Sequence, residues 1–163
     1  MKLIRIRNTE IISICFIYPL FHNFSYTGEH WTRNNLTWSL TRFEGHSGVG
    51  RQQVVQEIHT ALNVWSSYSN LKFTYLYDSD QADIRISFHK GYHGDGYPFD
   101  GAGAVLAHAF FPGSGRGGDA HFDEEEKWII DGVVEKYDEI FLFPVALHEF
   151  GHSLGKIFNV FES

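Results

Sequence analysis

The stretch "FPVALHEFGHSLG" (143–155) brings His148, Glu149 and His152 together within five residues. On an α-helix, residues four apart lie about 40° apart around the axis and one turn apart along it. His148 and His152 can therefore address one metal ion from a single helix face. Glu149, roughly 100° further round, can reach a metal-bound water without ligating the metal. Zinc lowers the pKa of such a water towards neutrality, and a carboxylate in that position can take its proton as it attacks a carbonyl. The competing reading of the motif alone is a pair of surface histidines.

A second group of ligand-type residues lies upstream, in "HGDGYPFDGAGAVLAHAFFPGSGRGGDAHFDEEEKW". It holds His93, Asp95, His108 and His121, separated by one, twelve and twelve residues. Three imidazoles and one carboxylate make a closed four-coordinate zinc set, the kind that stabilises structure and leaves no open position. Asp83, Asp100, Asp119, Asp123 and Glu126, interleaved with glycines, offer hard oxygen ligands and exposed carbonyls suited to calcium. The chain has ten histidines, and six of them run from His89 to His152.

The elements that must position these residues are legible from periodicity. Val54, Ile58, Ala61, Leu62 and Trp65 recur at helical spacing between Arg51 and Tyr68. "LTWSLTRF" (36–43), "LKFTYLY" (71–77), "ADIRISF" (82–88), "AVLAHAFF" (104–111) and "DAHFD" (119–123) read as strands. In the third of these, Ala82, Ile84, Ile86 and Phe88 share one face. The helix carrying the histidine pair starts near Phe141, so Pro144 falls in its first turn, where its missing N–H costs nothing. This order implies an α+β domain with a mixed sheet backed by helices.

Length fits one domain, and the formal charge of -7 with no basic stripe excludes a nucleic-acid partner. A lone Cys15 rules out an intrachain disulfide and a thiolate cluster. Residues 1–28 form a leader: Lys2, Arg5 and Arg7 precede the apolar run "IISICFIYPLF". The run is signal-like but too short to span a bilayer, and a leader without structure of its own fits as well. Asn23-Phe24-Ser25 and Asn35-Leu36-Thr37 are sequons that permit secretion.

From about Trp31 to Gly155 the sequence resembles the catalytic domain of a matrix metalloproteinase, a metzincin. The resemblance is carried by "ADIRISF", "HGDGYPFDGAGAVLAHAFFPG", "GGDAHFDEEEKW" and "FPVALHEFGHSLG". It implies a zincin-like fold: a five-stranded twisted sheet, mostly parallel, with two helices packed on it and a third at the C-terminus. It also implies a zinc endopeptidase acting on extended peptides of matrix or other secreted proteins, in the extracellular space, with no membrane association of the mature domain. Glu149 would be the catalytic base and His148 and His152 ligands of the catalytic zinc, while His93, Asp95, His108 and His121 would hold structural zinc. One calcium would sit on Asp100, Gly101, Gly103, Val105, Asp123 and Glu126, and a second on Asp83, Gly115, Gly117 and Asp119. The segment Gly103–Phe111 would be the edge strand to which a peptide adds by backbone hydrogen bonds.

The pattern departs from the family at one end. The family's third histidine ligand would stand three residues after Gly155, at Phe158, and phenylalanine cannot bind zinc. Residues 29–163 thus read as an incomplete catalytic domain, without the methionine turn, the main pocket wall or the final helix. Two classes of function remain open on this reading: a weakened or inactive zinc endopeptidase, and a non-catalytic peptide-binding module held by zinc and calcium, or an incomplete fragment.

Overall fold

The computed structural model describes residues 24–26, 28–45, 48–130 and 136–158. Residues 1–23 and 27, which make up most of the expected leader, lie outside the described residues, as do 159–163.

Strand β2 (Asn35–Arg42) lies in the core because Leu36, Trp38 and Leu40 alternate onto one face, where all three are buried. Helix α1 (Arg51–Ser67) follows, and Gly50 at its start donates its N–H to Gln53 Oε1 at 2.9 Å, satisfying one helix-terminal group. Val54, Ile58, Ala61, Leu62 and Trp65 form its buried stripe, as the spacing predicts. Strands β3 (Lys72–Tyr75), β4 (Ile84–His89), β5 (Ala107–Ala109) and β6 (Ala120–Asp123) complete a five-stranded sheet in the order β3-β2-β4-β6-β5. All pairings are parallel except β5 with β6, which is antiparallel and leaves β5 at the edge. The expected mixed, mostly parallel sheet is therefore present.

Helix α2 (Leu142–Ser153) carries the histidine pair, with Phe141 as its cap and Pro144 in the first turn. It packs against α1, where the buried Trp65 indole donates to the Leu147 carbonyl at 2.9 Å. Both helices and the sheet share one apolar cluster, in which Phe88 stacks on Phe122 at 5.1 Å and Trp128 meets both edge-on.

Three features differ from the sequence reading. The strand expected over 104–111 is confined to Ala107–Ala109. Around it, glycine-rich turns on one side and Pro112 on the other interrupt the ladder. The segment before α2 contains a small parallel ladder of β7 (Lys127–Ile129) with β8 (Glu139–Phe141). Finally β1 (Phe24–Tyr26) pairs antiparallel with β9 (Lys156–Phe158), placing Phe158 opposite Phe24. These are three-residue strands, too short for alternation to declare itself in a sequence.

Gly155 ends α2 with φ +85°, the left-handed conformation common just past a helix. Its N–H donates to the His152 carbonyl at 2.9 Å. A Cβ here would lie 2.3 Å from the Glu29 carbonyl oxygen, so conformation and space both demand glycine. Gly155→Ala should destabilise the domain by about 1–3 kcal/mol, measurable as a lower midpoint in urea unfolding. An unchanged midpoint would contradict the close approach of residue 29 to the end of α2.

Candidate metal centres and active site

Antiparallel pairing of β5 with β6 sets His108 directly opposite His121. The loop after β4 folds back over them, closed by a Phe99 N–H to Gly91 carbonyl bond of 3.0 Å, and delivers His93 and Asp95. Asp95 Oδ2 lies 2.9 Å from His93 Nε2, 2.7 Å from His108 Nε2 and 2.9 Å from His121 Nδ1. His121 Nδ1 is also 3.2 Å from His93 Nε2 and 3.3 Å from His108 Nε2. A tetrahedral zinc with bonds of about 2.0–2.1 Å separates its ligands by about 3.3 Å, so these donors fit one ion. They converge as no other described group of three or more ligand-type side chains does.

The electrostatics agree with the geometry. Burial pushes His121 down to about 3, helped by neighbouring His108, and burial likewise lowers His108 against the pull of Asp95. Both imidazoles are therefore neutral, the form that binds metal. Burial alone would raise the Asp95 carboxyl, but the Tyr97 N–H, His108 and His121 outweigh it and hold it below the usual carboxylate range. Surrounding groups fix the ligands in turn: Gly91 carbonyl holds His93 Nδ1 at 2.9 Å, and Arg116 donates to the Asp95 carbonyl at 2.7 Å. Phe99 stacks on both His93 and His108 at 4.9 Å. His89 stacks on His93 at 4.6 Å, a contact the sequence reading missed although His89 falls among the clustered histidines.

Asp100, Gly101, Gly103, Val105, Asp123 and Glu126 are brought into one neighbourhood. Gly103 N–H donates to Glu126 Oε1 at 2.7 Å and Val105 N–H to Asp100 Oδ1 at 3.0 Å. Burial raises Glu126 to about 7, and the nearby Asp123 and Asp100 charges add to this. Asp123 Oδ2 is buried without a hydrogen-bond partner among the described residues. An orphaned buried carboxylate oxygen beside two further carboxylates fits a cation.

The other expected calcium set is arranged differently. The Asp83 carboxylate accepts from the Thr37 N–H at 2.8 Å and hydroxyl at 3.0 Å, and pairs with Arg33. Asp119 instead meets Arg85, whose Nη2 lies 2.5 Å from Asp119 Oδ2 and 3.2 Å from the Gly115 carbonyl. A guanidinium thus already sits at two of these oxygens. Gly117 packs so closely on Gly113 that a Cβ would fall 2.3 Å from its nitrogen.

On α2, His148 Nε2 and His152 Nε2 face each other at 3.2 Å, with ring centroids 5.0 Å apart. The Lys156 carbonyl holds His152 Nδ1 at 2.9 Å, fixing which nitrogen is offered. The pair spans one edge of a tetrahedral ion. Glu149 is 1% exposed, its Oε2 has no hydrogen-bond partner among the described residues, and burial pushes its carboxyl up to about 8. The helix runs beside β5, with the Phe111 ring edge-on to His152 at 5.7 Å.

Glu149 gives a pH-dependent prediction for the metal-free chain. Between about pH 4.5 and 8 the folded state keeps a proton that the unfolded state releases, so stability falls as pH rises through this window. Glu149→Gln should therefore stabilise chelated protein at pH 8 by at most on the order of 4 kcal/mol and have no such effect below pH 4.5. Thermal melts of both chains at the two pH values check it, and a pH-independent difference would refute the burial of an unpaired carboxyl.

The matrixin family model matches residues 30–157. Over 132 residues the chain is 51% identical to matrix metalloproteinase-2 of Drosophila melanogaster, covering 81% of this chain and 17% of that protein. It is 45% identical over 134 residues to matrix metalloproteinase-25 of Mus musculus, covering 81% and 22%. With interstitial collagenase of Bos taurus it shares 46% over 125 residues, covering 77% and 25%. The chain thus spans about a quarter or less of the length of these relatives. With the family model matching residues 30–157, most of its length, the chain belongs to the matrixin family.

Proposed function

We propose that this chain is a zinc-dependent endopeptidase domain that acts on extended peptides, and that it is weakly active or inactive as it stands. The observation that carries the reading is the buried Glu149 carboxyl on the same helix as two imidazoles whose Nε2 atoms lie 3.2 Å apart. His148 and His152 would hold a catalytic zinc, which when bound supplies Lewis acidity for carbonyl polarisation and acidifies water. Glu149 would take the proton from the attacking water and return it to the leaving amine. Burial strengthens its hold on that proton, which suits the carrying half of the exchange. The edge of β5 would hold the peptide backbone by strand addition, beside the helix. His93, Asp95, His108 and His121 would bind a second, structural zinc.

Weak activity follows from donor count: the helix supplies two imidazoles, and the position of the third ligand is Phe158, whose backbone pairs with Phe24. The complete structural cluster beside an incomplete catalytic one also supports the alternative of a non-catalytic peptide-binding module. Secretion, and matrix or other extracellular proteins as substrates, are the reading that suits the family and the leader. Among the described residues no helix is long and apolar enough to cross a membrane.

Turnover of a generic fluorogenic peptide tests the proposal. The chain should show little or no cleavage, and replacing residues after Gly155 with a full family-type C-terminus should restore it. Phe158→His alone should strengthen zinc binding in part. Glu149→Gln in the restored chain should abolish turnover and leave zinc bound. Equal activity in the short and restored chains would show that some other residue completes the site.

Metal content gives a second prediction. The purified chain should retain about one tightly held zinc, and His108→Ala should lose it and disorder the 93–121 region, since such binding is coupled to folding. Zinc-free protein with unchanged structure would remove the structural-zinc assignment.

Calcium should raise the melting temperature by mass action through Asp100, Asp123 and Glu126. Because Glu126 must lose a proton that it holds up to about pH 7, the gain should be larger at pH 8 than at pH 6. A midpoint indifferent to millimolar calcium at both pH values would overturn this set. Calcium at Asp83, Gly115, Gly117 and Asp119 would have to displace Arg85, so Arg85→Gln should increase any response there.

A further inference from the structure

The family resemblance implies a second calcium on Asp83, Gly115, Gly117 and Asp119, and the surroundings of these residues do not fit one. Asp119 is 4% exposed, and Arg85 engages both of its carboxylate oxygens. The Arg85 backbone N–H and Nε donate to Oδ1 at 3.0 and 3.2 Å, and Nη2 donates to Oδ2 at 2.5 Å. The same Nη2 lies 3.2 Å from the Gly115 carbonyl. The Asp83 carboxylate is likewise taken, by Thr37 and Arg33. Asp123, in the other expected calcium set, is the contrast: its Oδ2 is buried without a hydrogen-bond partner among the described residues. One set leaves an oxygen open to a cation, and the other holds a cation of its own.

We propose that Arg85 is the resident cation of the turn between β5 and β6, standing where the resemblance puts calcium. The inference goes beyond the peptidase reading and does not depend on it. Sheet register puts the guanidinium there. Strands β4 and β6 run parallel with Ile86 opposite Ala120, so Arg85 and Asp119, each one residue earlier, are neighbours across the ladder. Arg85 alternates with Ile84, Ile86 and Phe88, so it leaves the sheet on the face opposite the core. A guanidinium presents a planar fork that meets a carboxylate with two parallel bonds. Calcium needs about six to eight oxygens, and a carboxylate that already accepts three N–H bonds has little to offer it.

The consequence reaches the histidine cluster. The Asp119 N–H donates to the Arg116 carbonyl at 3.0 Å, and the Arg116 guanidinium donates to the Asp95 carbonyl at 2.7 Å. The Gly118 N–H closes the same turn on the Phe110 carbonyl at 3.1 Å. Arg85 thus secures Asp119, Asp119 secures the turn, and the turn secures the backbone at Asp95. A tethered cation cannot diffuse away, so this chain of bonds holds when calcium is withdrawn. The calcium response then belongs to Asp100, Asp123 and Glu126 alone.

Equilibrium dialysis of the zinc-loaded full chain against radioactive calcium tests the occupant. Arg85→Met removes the guanidinium and supplies no oxygen, so it should bind about one calcium more than the unaltered chain. Because the reading is a difference, it holds whether or not the Asp100 set binds calcium. Adding Asp119→Asn should abolish the extra ion. Hydrogen exchange at the Gly118 and Asp119 amides is the second measurement, made where the chain is folded both with calcium and in calcium-depleted, zinc-buffered solution. In the unaltered chain these amides should change by less than about twofold on calcium removal, and in Arg85→Met they should speed up by about tenfold or more. Zinc release to a chromogenic chelator should become calcium-dependent only in Arg85→Met. A folded Arg85→Met that binds no additional calcium would overturn the proposal, as would calcium-dependent exchange at these amides in the unaltered chain. If Arg85→Met does not fold, exchange in the unaltered chain decides alone. Zinc release indifferent to calcium in a folded Arg85→Met would overturn the link to Asp95.

Discussion

Asp95 Oδ2 stands within 2.7–2.9 Å of nitrogens from three histidines, and the upper half of the domain is organised around that point. One histidine comes from β5, one from β6 and one from the loop between β4 and β5, so the contact ties that loop to two strands of the sheet. Buried neutral imidazoles whose nitrogens approach to 3.2–3.3 Å cannot all present a proton to one another. A cation bound there would resolve the conflict by accepting a lone pair from each of the four groups, and would tie the position of β5 to the metal centre as well as to the sheet.

The histidine pair on α2 is held by a different device. Two indoles grip the helix backbone on either side of it: Trp65 at the Leu147 carbonyl and Trp31 at the Ser153 carbonyl, each at 2.9 Å. The first comes from α1 and the second from the chain entering the sheet. Both bonds are long-range, so the orientation of His148 and His152 depends on the whole apolar cluster being assembled. The buried carboxyl of Glu149 is the cost of that arrangement, offset by the burial of Ala146, Leu147 and Phe150 on the same helix.

Much of this was legible in the sequence because its signals are periodic or chemically unusual. The stripe of α1, the alternation in Ala82–Phe88 and the spacing of His93, Asp95, His108 and His121 each have one simple geometric solution, and the structure adopts it. What was not legible depends on approach between distant segments. Nothing near Arg85 announces that its guanidinium will lie at Asp119 and Gly115, because the pair is made by neighbouring parallel strands. The stacking of His89 on His93 likewise follows from the fold of a glycine-rich loop, whose path no local pattern specifies. The ladder between Phe24–Tyr26 and Lys156–Phe158 joins segments more than a hundred residues apart and has no local signature at all.

The antiparallel edge strand has a consequence for the free protein. Its outer row of amides and carbonyls is unpaired among the described residues, and such a row is a template for a second copy of the chain. Here the template is only Ala107–Ala109, bounded by Pro112 on one side and glycine-rich turns on the other. Three residues offer too few bonds to hold two copies together without a side-chain pocket to add to them. The brevity of β5 therefore limits how far a second copy could extend the sheet from this edge.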